Sequence, residues 1–200
     1  MNKRTDIDNL VFDLGNVLFT FQPLDWLKKI YPEPLAKQVN AAVFDSPHWA
    51  EVDRGVLTMD EVIARMLFDA PDMAEWITPA ISEYLNMVQP IPENVALLPR
   101  LKSSGYRLYV LSNFGAAFFA ETRACNPFLE QCFDGLLISG EVHIVKPETA
   151  IYLLLAHTFH LDPARTLFID DRQENIDSAR SVGIRGMCYT RHEQFFELFA

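Results

Sequence analysis

The sequence predicts an α/β fold in which a small all-helical domain is inserted into a Rossmann-like parallel sheet core. Short apolar runs alternate with helical patterns from Pro92 onwards, and a further apolar run lies near the N-terminus. Helical spacing interrupted by prolines dominates residues 21–90. Strands that alternate with helices are typical of a parallel sheet covered on both faces. We therefore predict a core of residues 1–20 and 91–200 and a helical cap of residues 21–90.

The first strand is predicted at Leu10-Val11-Phe12, which follows Ile7 and stops at Asp13-Leu14-Gly15-Asn16. A short apolar run bounded by turn-forming residues is typical of a buried strand. Charged residues follow Met1 closely, and no run approaches the roughly 18 apolar residues of a membrane span. We therefore expect neither a secretory signal nor a membrane segment, and we expect a cytoplasmic location.

The inserted segment contains a clear helix start. Thr58-Met59-Asp60-Glu61 is a capping box, and apolar residues follow it at helical spacing. These apolar residues are Val62, Ile63, Met66 and Leu67. Pro23 and Pro90 flank the segment, which predicts that the chain crosses between the helical segment and the core near both.

The second part of the core supplies the remaining elements. A stripe of Val95, Leu98 and Leu101 predicts a helix ending at Gly105, with a kink or a late start at Pro99. Strands are predicted over residues 106–111, 135–138, 166–169 and 184–189. Helices are predicted over residues 114–123, 148–160 and 173–182, and Phe195-Phe196 is expected to dock a last helix.

Polar side chains follow three of the predicted strands: Asp13, Ser112 and the pair Asp170-Asp171. The carboxyl ends of parallel strands meet at one edge of a sheet, where such folds place their chemistry. Taken singly, a turn aspartate, a helix-capping serine and a solvated Lys146 each have a structural explanation. Two adjacent carboxylates repel each other, however, unless a cation or an acid-base role compensates. Together these groups indicate a phosphate site with Mg²⁺ and an aspartate nucleophile.

Four segments resemble, in order and spacing, the motifs of the haloacid dehalogenase-like hydrolases. They are Val11-Phe12-Asp13-Leu14-Gly15-Asn16-Val17-Leu18, Val110-Leu111-Ser112-Asn113, Val145-Lys146-Pro147-Glu148 and Phe168-Ile169-Asp170-Asp171-Arg172-Gln173-Glu174-Asn175. The resemblance covers essentially the whole chain, and the segment between the first two motifs corresponds to a helical cap of the first class plus the returning core helix. The sequence is similar to the glucose-1-phosphatase-like sugar phosphatases of that family.

The resemblance implies a Mg²⁺-dependent hydrolase of a small phosphorylated metabolite, of the sugar phosphate kind, that forms an aspartyl-phosphate. It implies that Asp13 is the nucleophile and that Ser112 and Lys146 complete the catalytic set. The implied phosphate-binding residues are Ser112, Asn113 and Lys146, and the implied metal ligands are Asp13, Gly15 through its carbonyl, Asp170 and Asp171. Asn175 is expected to orient these acids from the following helix.

The sequence departs from the family pattern at Gly15. Phosphatases of the family usually carry there a second aspartate, which protonates the leaving group and then activates water. Such a general acid-base is worth about 10²- to 10⁴-fold in rate. Either the site works without this group or a cap residue replaces it; the available cap residues are Asp25, His48, Glu51 and Asp53. Trp49 with Asp53-Arg54-Gly55 also resembles the turn of the cap that faces the substrate.

Composition excludes other classes of function. Lys plus Arg number 17 and Asp plus Glu 27, so the net charge is −10, which argues against a nucleic-acid or anionic-membrane partner. Three cysteines without a C-x-x-C pair predict reduced thiols. Two alternatives stay open at this point: a weakly active or inactive phosphate-binding regulatory protein, supported by Gly15, and a dehalogenase-type hydrolase. The sequence leaves the oligomeric state open.

Overall fold

A five-stranded parallel sheet forms the centre of the protein, whose computed structural model describes residues 3–199. Its strands are β1 (Asn9–Phe12), β4 (Arg107–Ser112), β5 (Gly135–Ile138), β6 (Thr166–Asp170) and β7 (Arg185–Cys188), and two further short strands, β2 (Phe19–Thr20) and β3 (Gln89–Pro90), lie outside this sheet. The sheet has the order β5-β4-β1-β6-β7, and every neighbouring pair is parallel. The predicted fold class is therefore confirmed.

Helices cover the sheet and form the inserted segment. The inserted segment contains α1 (Pro23–Ile30), α2 (Glu33–Ala42), α3 (Pro47–Arg54), α4 (Met59–Asp69), α5 (Ala74–Ser82) and α6 (Tyr84–Met87). The core contains α7 (Pro92–Val95), α8 (Leu98–Ser103), α9 (Ala116–Cys125), α10 (Phe128–Cys132), α11 (Ser139–Val142), α12 (Thr149–Thr158), α13 (Gln173–Ser181) and α14 (Glu193–Phe199). Short 3₁₀ helices lie at Pro71–Met73 and Pro163–Arg165.

The chain leaves and re-enters the core through two adjacent crossings. Strands β2 and β3 form a separate antiparallel pair in which Phe19 lies opposite Pro90. Between them, α4 begins at the predicted capping box, since the Thr58 hydroxyl accepts from the Glu61 N–H and the Glu61 carboxylate accepts from the Thr58 N–H. The helical segment is thus joined to the core at one narrow place.

The register of the sheet places the carboxyl ends of β1, β4 and β6 side by side. Phe12 of β1 pairs with Val110 of β4 and Ile169 of β6, so β1 lies between the strands that carry the other polar groups. Ser112 and Asp170 are the last residues of β4 and β6, one residue beyond the predicted ends of these strands. The carboxyl edge of the sheet therefore brings their side chains close to Asp13.

Several elements differ in detail from the prediction. The stripe after Pro92 forms two helices, α7 and α8, and Pro99 lies in the first turn of α8, where its missing N–H costs no hydrogen bond. The short helices α10 and α11 were not predicted. At the C-terminus Phe195 is buried, whereas Phe196 is 46% exposed, so only the first ring docks α14.

Two further expectations concern the whole chain. Cys125, Cys132 and Cys188 are free thiols, as predicted. Within residues 3–199, no helix has the length and the apolar character that crossing a membrane requires.

Candidate active site

Asp13 lies directly after β1, at the carboxyl edge of the sheet. Its N–H donates to the Ile169 carbonyl at 2.9 Å, and its side chain is buried. Carboxylate oxygen Oδ1 accepts from the Leu14 N–H at 2.7 Å and from the Ser112 hydroxyl at 2.8 Å. These contacts fix the carboxylate in one orientation at the end of the strand.

Lys146 joins two buried carboxylates. Its ammonium nitrogen lies 2.8 Å from Asp13 Oδ1 and 2.7 Å from Asp170 Oδ2. Burial lowers the pKa of Lys146, but the charges of the two carboxylates outweigh this effect and raise the pKa above its ordinary value. Burial in turn raises the pKa of Asp13, and the charge of Lys146 opposes that rise. The lysine therefore keeps its positive charge beside Asp13.

Asn113 holds the segment that carries Lys146. Its Oδ1 accepts from the Lys146 N–H at 2.8 Å, and its Nδ2 donates to the Lys146 carbonyl at 2.9 Å. Both ends of this amide are thus engaged with the backbone of Lys146. The contact ties the end of β4 to the lysine, so the predicted phosphate-binding residues Ser112, Asn113 and Lys146 lie together.

Asp170 is fully buried at the end of β6. Its Oδ1 accepts from the Arg172 N–H at 2.8 Å. The Asn175 amide nitrogen lies 2.9 Å from one Asp170 oxygen and 3.0 Å from the other, so a side chain of α13 contacts both oxygens of this acid. Together with Lys146, these donors compensate a carboxylate that has no access to solvent.

Asn16 was not singled out from the sequence, yet it connects three parts of the site. Its Nδ2 donates to Asp171 Oδ2 at 3.0 Å, and its Oδ1 accepts from the Phe21 N–H and the Gln22 amide, each at 3.1 Å. Its backbone is left-handed (φ 53°), a conformation that asparagine tolerates better than most residues. Burial raises the pKa of Asp171, and the hydrogen bond from Asn16 opposes that rise.

The three aspartates form a set that could hold a metal ion. One carboxylate oxygen from each of Asp13, Asp170 and Asp171 lies within 4.8 Å of the others. A second observation is the buried Asn175 Oδ1, which has no hydrogen-bond partner among the described residues. Carboxylate and amide oxygens suit a hard cation such as Mg²⁺, which keeps part of its water shell. The residues present therefore fit the magnesium ion expected from the sequence.

Gly15 lies beside these acids and, with Asp13 and Asp171, lines the cavity described below. Its φ is not positive, and a Cβ built on it meets no atom within 4 Å. Neither the backbone conformation nor the space around residue 15 therefore requires glycine. The absence of a carboxylate here is a chemical feature of the site.

A cavity of about 220 Å³ lies between the helical segment and the sheet edge. Its polar lining includes the residues predicted from the sequence: Asp13, Gly15, Ser112, Asn113, Lys146, Asp171 and Asn175. Asp170 lies beneath this lining. The rest is largely aromatic and comes from both parts of the chain: Phe19, Phe21, Trp49, Tyr84, Val88 and Phe114.

Of the four cap residues considered as a replacement acid, Asp53 lines the cavity and the other three do not. The ring of His48 is hydrogen-bonded to the exposed Asp69 at 2.7 Å, and Asp25 is exposed. Sequence reasoning could not separate these candidates, because only the docking of α3 on the core decides which one faces Asp13.

Comparison with known proteins places the chain in a family. Residues 7–183 match the family described as haloacid dehalogenase-like hydrolase. This chain belongs to the haloacid dehalogenase-like hydrolases. The resemblance noted from the four motifs is thereby confirmed.

Individual relatives of this haloacid dehalogenase-like hydrolase differ in activity. The sesquiterpene phosphatase astK of Aspergillus oryzae is 25% identical over 90% of this chain and 88% of its own length. A haloacid dehalogenase-family enzyme of Bacteroides thetaiotaomicron, in complex with magnesium and inorganic phosphate, has a TM-score of 0.75 at 24% identity, covering 97% of this chain and 100% of that one. The L-2-haloacid dehalogenase of Xanthobacter autotrophicus has a TM-score of 0.66 at 18% identity, covering 90% and 76%. Since phosphatases and dehalogenases share the fold, the side chains must separate the two activities.

Proposed function

We propose that the protein is a Mg²⁺-dependent phosphatase that hydrolyses a small phosphorylated metabolite through an aspartyl-phosphate on Asp13. The observation that carries this proposal is the close group of Asp13, Asp170 and Asp171, with one lysine and one serine hydroxyl at the same Asp13 oxygen. The family match and the phosphatase among the relatives support it. When bound, Mg²⁺ would neutralise charge on the phosphoryl oxygens, and Asp13, the Gly15 carbonyl, Asp170 and Asp171 would hold it.

The contacts of Asp13 suit it to attack phosphorus. Its hydrogen bonds and ion pair among the described residues all fall on Oδ1, which leaves Oδ2 available. Lys146 and the Ser112 hydroxyl, at the base of the cavity, provide donors for phosphoryl oxygens. Asn113 and Asn175 hold Lys146 and Asp170 in place. Attack by Oδ2 would transfer the phosphoryl group to Asp13, and water would then release it.

Two kinds of substrate are considered for this phosphatase. The sugar phosphate expected from the resemblance stays a prediction. The aromatic lining favours a second candidate, the phosphate ester of a small apolar alcohol, because sugar hydroxyls facing such rings would lose hydrogen bonds to water. The likeness to a sesquiterpene phosphatase supports this candidate. The cytoplasmic location expected for the protein also stays a prediction.

The two alternatives are less well supported. A metal-free dehalogenase would gain nothing from two further carboxylates beside its nucleophile, since they disfavour the ionised Asp13. A regulatory protein with a phosphate pocket was suggested by Gly15 alone.

The test is turnover of aryl and alkyl monophosphates with Mg²⁺, with EDTA, and with Mg²⁺ restored. We expect hydrolysis that EDTA abolishes and Mg²⁺ recovers. A panel that contains glucose 1-phosphate, prenyl monophosphate and 2-chloropropionate separates the candidates. Release of chloride without phosphatase activity would favour the dehalogenase, and phosphate binding without turnover would favour the regulatory protein.

A further inference from the structure

The proposed phosphatase lacks an acid at the usual place. Residue 15 is glycine, although its backbone and the free space around it would accept a side chain. An alkoxide leaving group still requires a proton, and the water that attacks the aspartyl-phosphate must lose one. A general acid-base elsewhere in the cavity would meet both requirements.

Asp53 is the carboxylate that the helical segment places in the cavity. It lies near the end of α3 and lines the same cavity as Asp13, Ser112 and Lys146. Its carboxylate accepts a hydrogen bond from the Gly115 N–H, which belongs to the loop between β4 and α9. The cap residue is thus tied to the core beside the phosphate-binding strand end.

The backbone of α3 holds Asp53 in this position. The Ser139 hydroxyl donates to the Asp53 carbonyl at 2.5 Å while it accepts from the Phe114 N–H at 2.9 Å. Gly55 closes α3 at φ 70°, and a Cβ there would lie 2.3 Å from the Gly140 carbonyl oxygen. Glycine is therefore required where the end of α3 meets α11, because the two backbones are in direct contact.

An ion pair adds to this attachment. Arg54 Nη2 lies 2.5 Å from Glu148 Oε1, and the Arg54 carbonyl lies 3.0 Å from His143 Nδ1. Glu148 follows the segment that carries Lys146. The pair therefore links the end of α3 to the segment that carries the phosphate-binding lysine.

The electrostatic surroundings suit a group that exchanges protons near neutrality. Burial raises the pKa of Asp53 to about 7, Lys146 opposes the rise and Asp13 adds to it. Arg172 also faces Asp53. Burial raises the pKa of Tyr84, and the charge of the nearby Asp53 raises it further. Next to the other helices packed on α3, His143, which follows α11, binds the Arg54 carbonyl, and Asp69 of α4 binds His48, so both are engaged elsewhere.

We infer that Asp53 of the cap is the general acid-base of the reaction and replaces the carboxylate absent at Gly15. This inference rests on the proposed phosphatase function. In the first step Asp13 Oδ2 forms a bond to phosphorus, the bond to the ester oxygen breaks, and that oxygen takes the proton of Asp53. In the second step water attacks phosphorus, the bond to Asp13 breaks, and Asp53 takes a proton from the water. Both protons are accounted for, and Asp53 returns to its starting state.

The experiment compares the complete protein with Asp53→Asn, with the double variant Gly15→Asp/Asp53→Asn and with the control Glu51→Gln. Glu51 lies on the same helix but does not line the cavity. Each protein is assayed with Mg²⁺ on an aryl phosphate, whose leaving group needs no proton, and on an alkyl phosphate, whose leaving group does. Pre-steady-state release of the aryl alcohol measures the first step separately from the second.

We expect Asp53→Asn to lose about 10²- to 10⁴-fold in turnover of the alkyl phosphate. On the aryl phosphate it should release about one equivalent of alcohol quickly and then turn over slowly, because the second step lacks its base. Gly15→Asp/Asp53→Asn should recover turnover of the alkyl phosphate, and Glu51→Gln should match the unmodified protein.

Three results would overturn the inference in distinguishable ways. If Asp53→Asn hydrolyses both esters like the unmodified protein, Asp53 is not the acid-base, although the phosphatase function stands. If the unmodified protein hydrolyses neither ester and forms no aspartyl-phosphate, the proposed function fails as well. A general loss in Asp53→Asn that Gly15→Asp does not recover would assign Asp53 a structural role and contradict the proposal.

Discussion

Asp13 is the residue on which the proposed chemistry depends. In Asp13→Asn the amide oxygen can still accept from Leu14 and Ser112, so the fold should be retained, but an amide cannot attack phosphorus. We expect no measurable turnover and no aspartyl-phosphate, by phosphate release and by mass spectrometry of the intact protein. Turnover at an undiminished rate by a correctly folded Asp13→Asn protein would rule out the covalent mechanism.

Asp53 leads to a prediction about pH. As the acid of the first step it must be protonated, and burial raises its pKa to about 7, so its protonated fraction falls as the pH rises through that value. We therefore expect kcat/KM for an alkyl phosphate to decrease above about pH 7, and that for an aryl phosphate to lack this decrease. The measurement is a pair of pH profiles at saturating Mg²⁺.

The matched control for that profile is Asp53→Asn, because Asp13, Lys146 and Tyr84 also lie near the cavity. In the variant the remaining activity on the alkyl phosphate should show no decrease with an apparent pKa near 7. A decrease that persists in the variant belongs to another group and would contradict the assignment to Asp53.

At the level of elements, the sequence predicted what depends on local pattern. The strand ends at Asp13 and Ser112 and the capping box at Thr58 follow from short apolar runs and from side chains that satisfy nearby backbone groups. The helices α10 and α11 span only five and four residues, too few to show a helical period, and were missed. The position of Asp53 depends on how α3 docks on α11, which no local pattern specifies.

That docking gives a prediction for Gly55. In Gly55→Ala a left-handed conformation costs about 1–2 kcal/mol, and the new Cβ would lie 2.3 Å from the Gly140 carbonyl oxygen, so α3 must move. We expect a lower free energy of unfolding in urea. We also expect kcat to fall relative to the unmodified protein, and to fall by a larger factor on the alkyl phosphate than on the aryl phosphate.

Gly105→Ala is the control that introduces the strain of a positive φ without a clash between α3 and α11. Gly105 also has a positive φ of 92°, but its Cβ would meet only the Lys3 side chain, at 3.7 Å, in the turn before β4. The variant should lose about 1–2 kcal/mol of stability and keep the ratio of alkyl to aryl turnover. Equal kinetic effects of the two alanines would mean that contact between α3 and α11 does not set the position of Asp53.

For the molecule as a whole, cap and core share one aromatic interface above the polar site. Tyr84 of the cap stacks on Phe118 of the core with ring centroids 4.2 Å apart, and Trp49 lies 6.0 Å from the same ring. Since β2 and β3 are the only crossings in the described residues, this interface and the Arg54–Glu148 pair are further contacts between the inserted helices and the core. We expect the helical segment to act as a lid. Closure around a cavity of about 220 Å³ would exclude water from the aspartyl-phosphate and limit the size of the substrate.

The metal links the site to the stability of the whole protein. Three carboxylates face one lysine at the sheet edge, so a cation that binds only the folded state should stabilise it, by about 2.7 kcal/mol at 100 times its Kd. We expect Mg²⁺ to raise the Tm of the unmodified protein in a concentration-dependent way.

In Asp171→Asn the same rise should require more Mg²⁺, because one charged ligand is lost, and excess Mg²⁺ should partly restore turnover. Asp177→Asn, an exposed change on α13, is the control and should follow the unmodified protein. An identical Mg²⁺ dependence of the Tm in Asp171→Asn would remove Asp171 from the metal site while leaving the role of Asp13 intact.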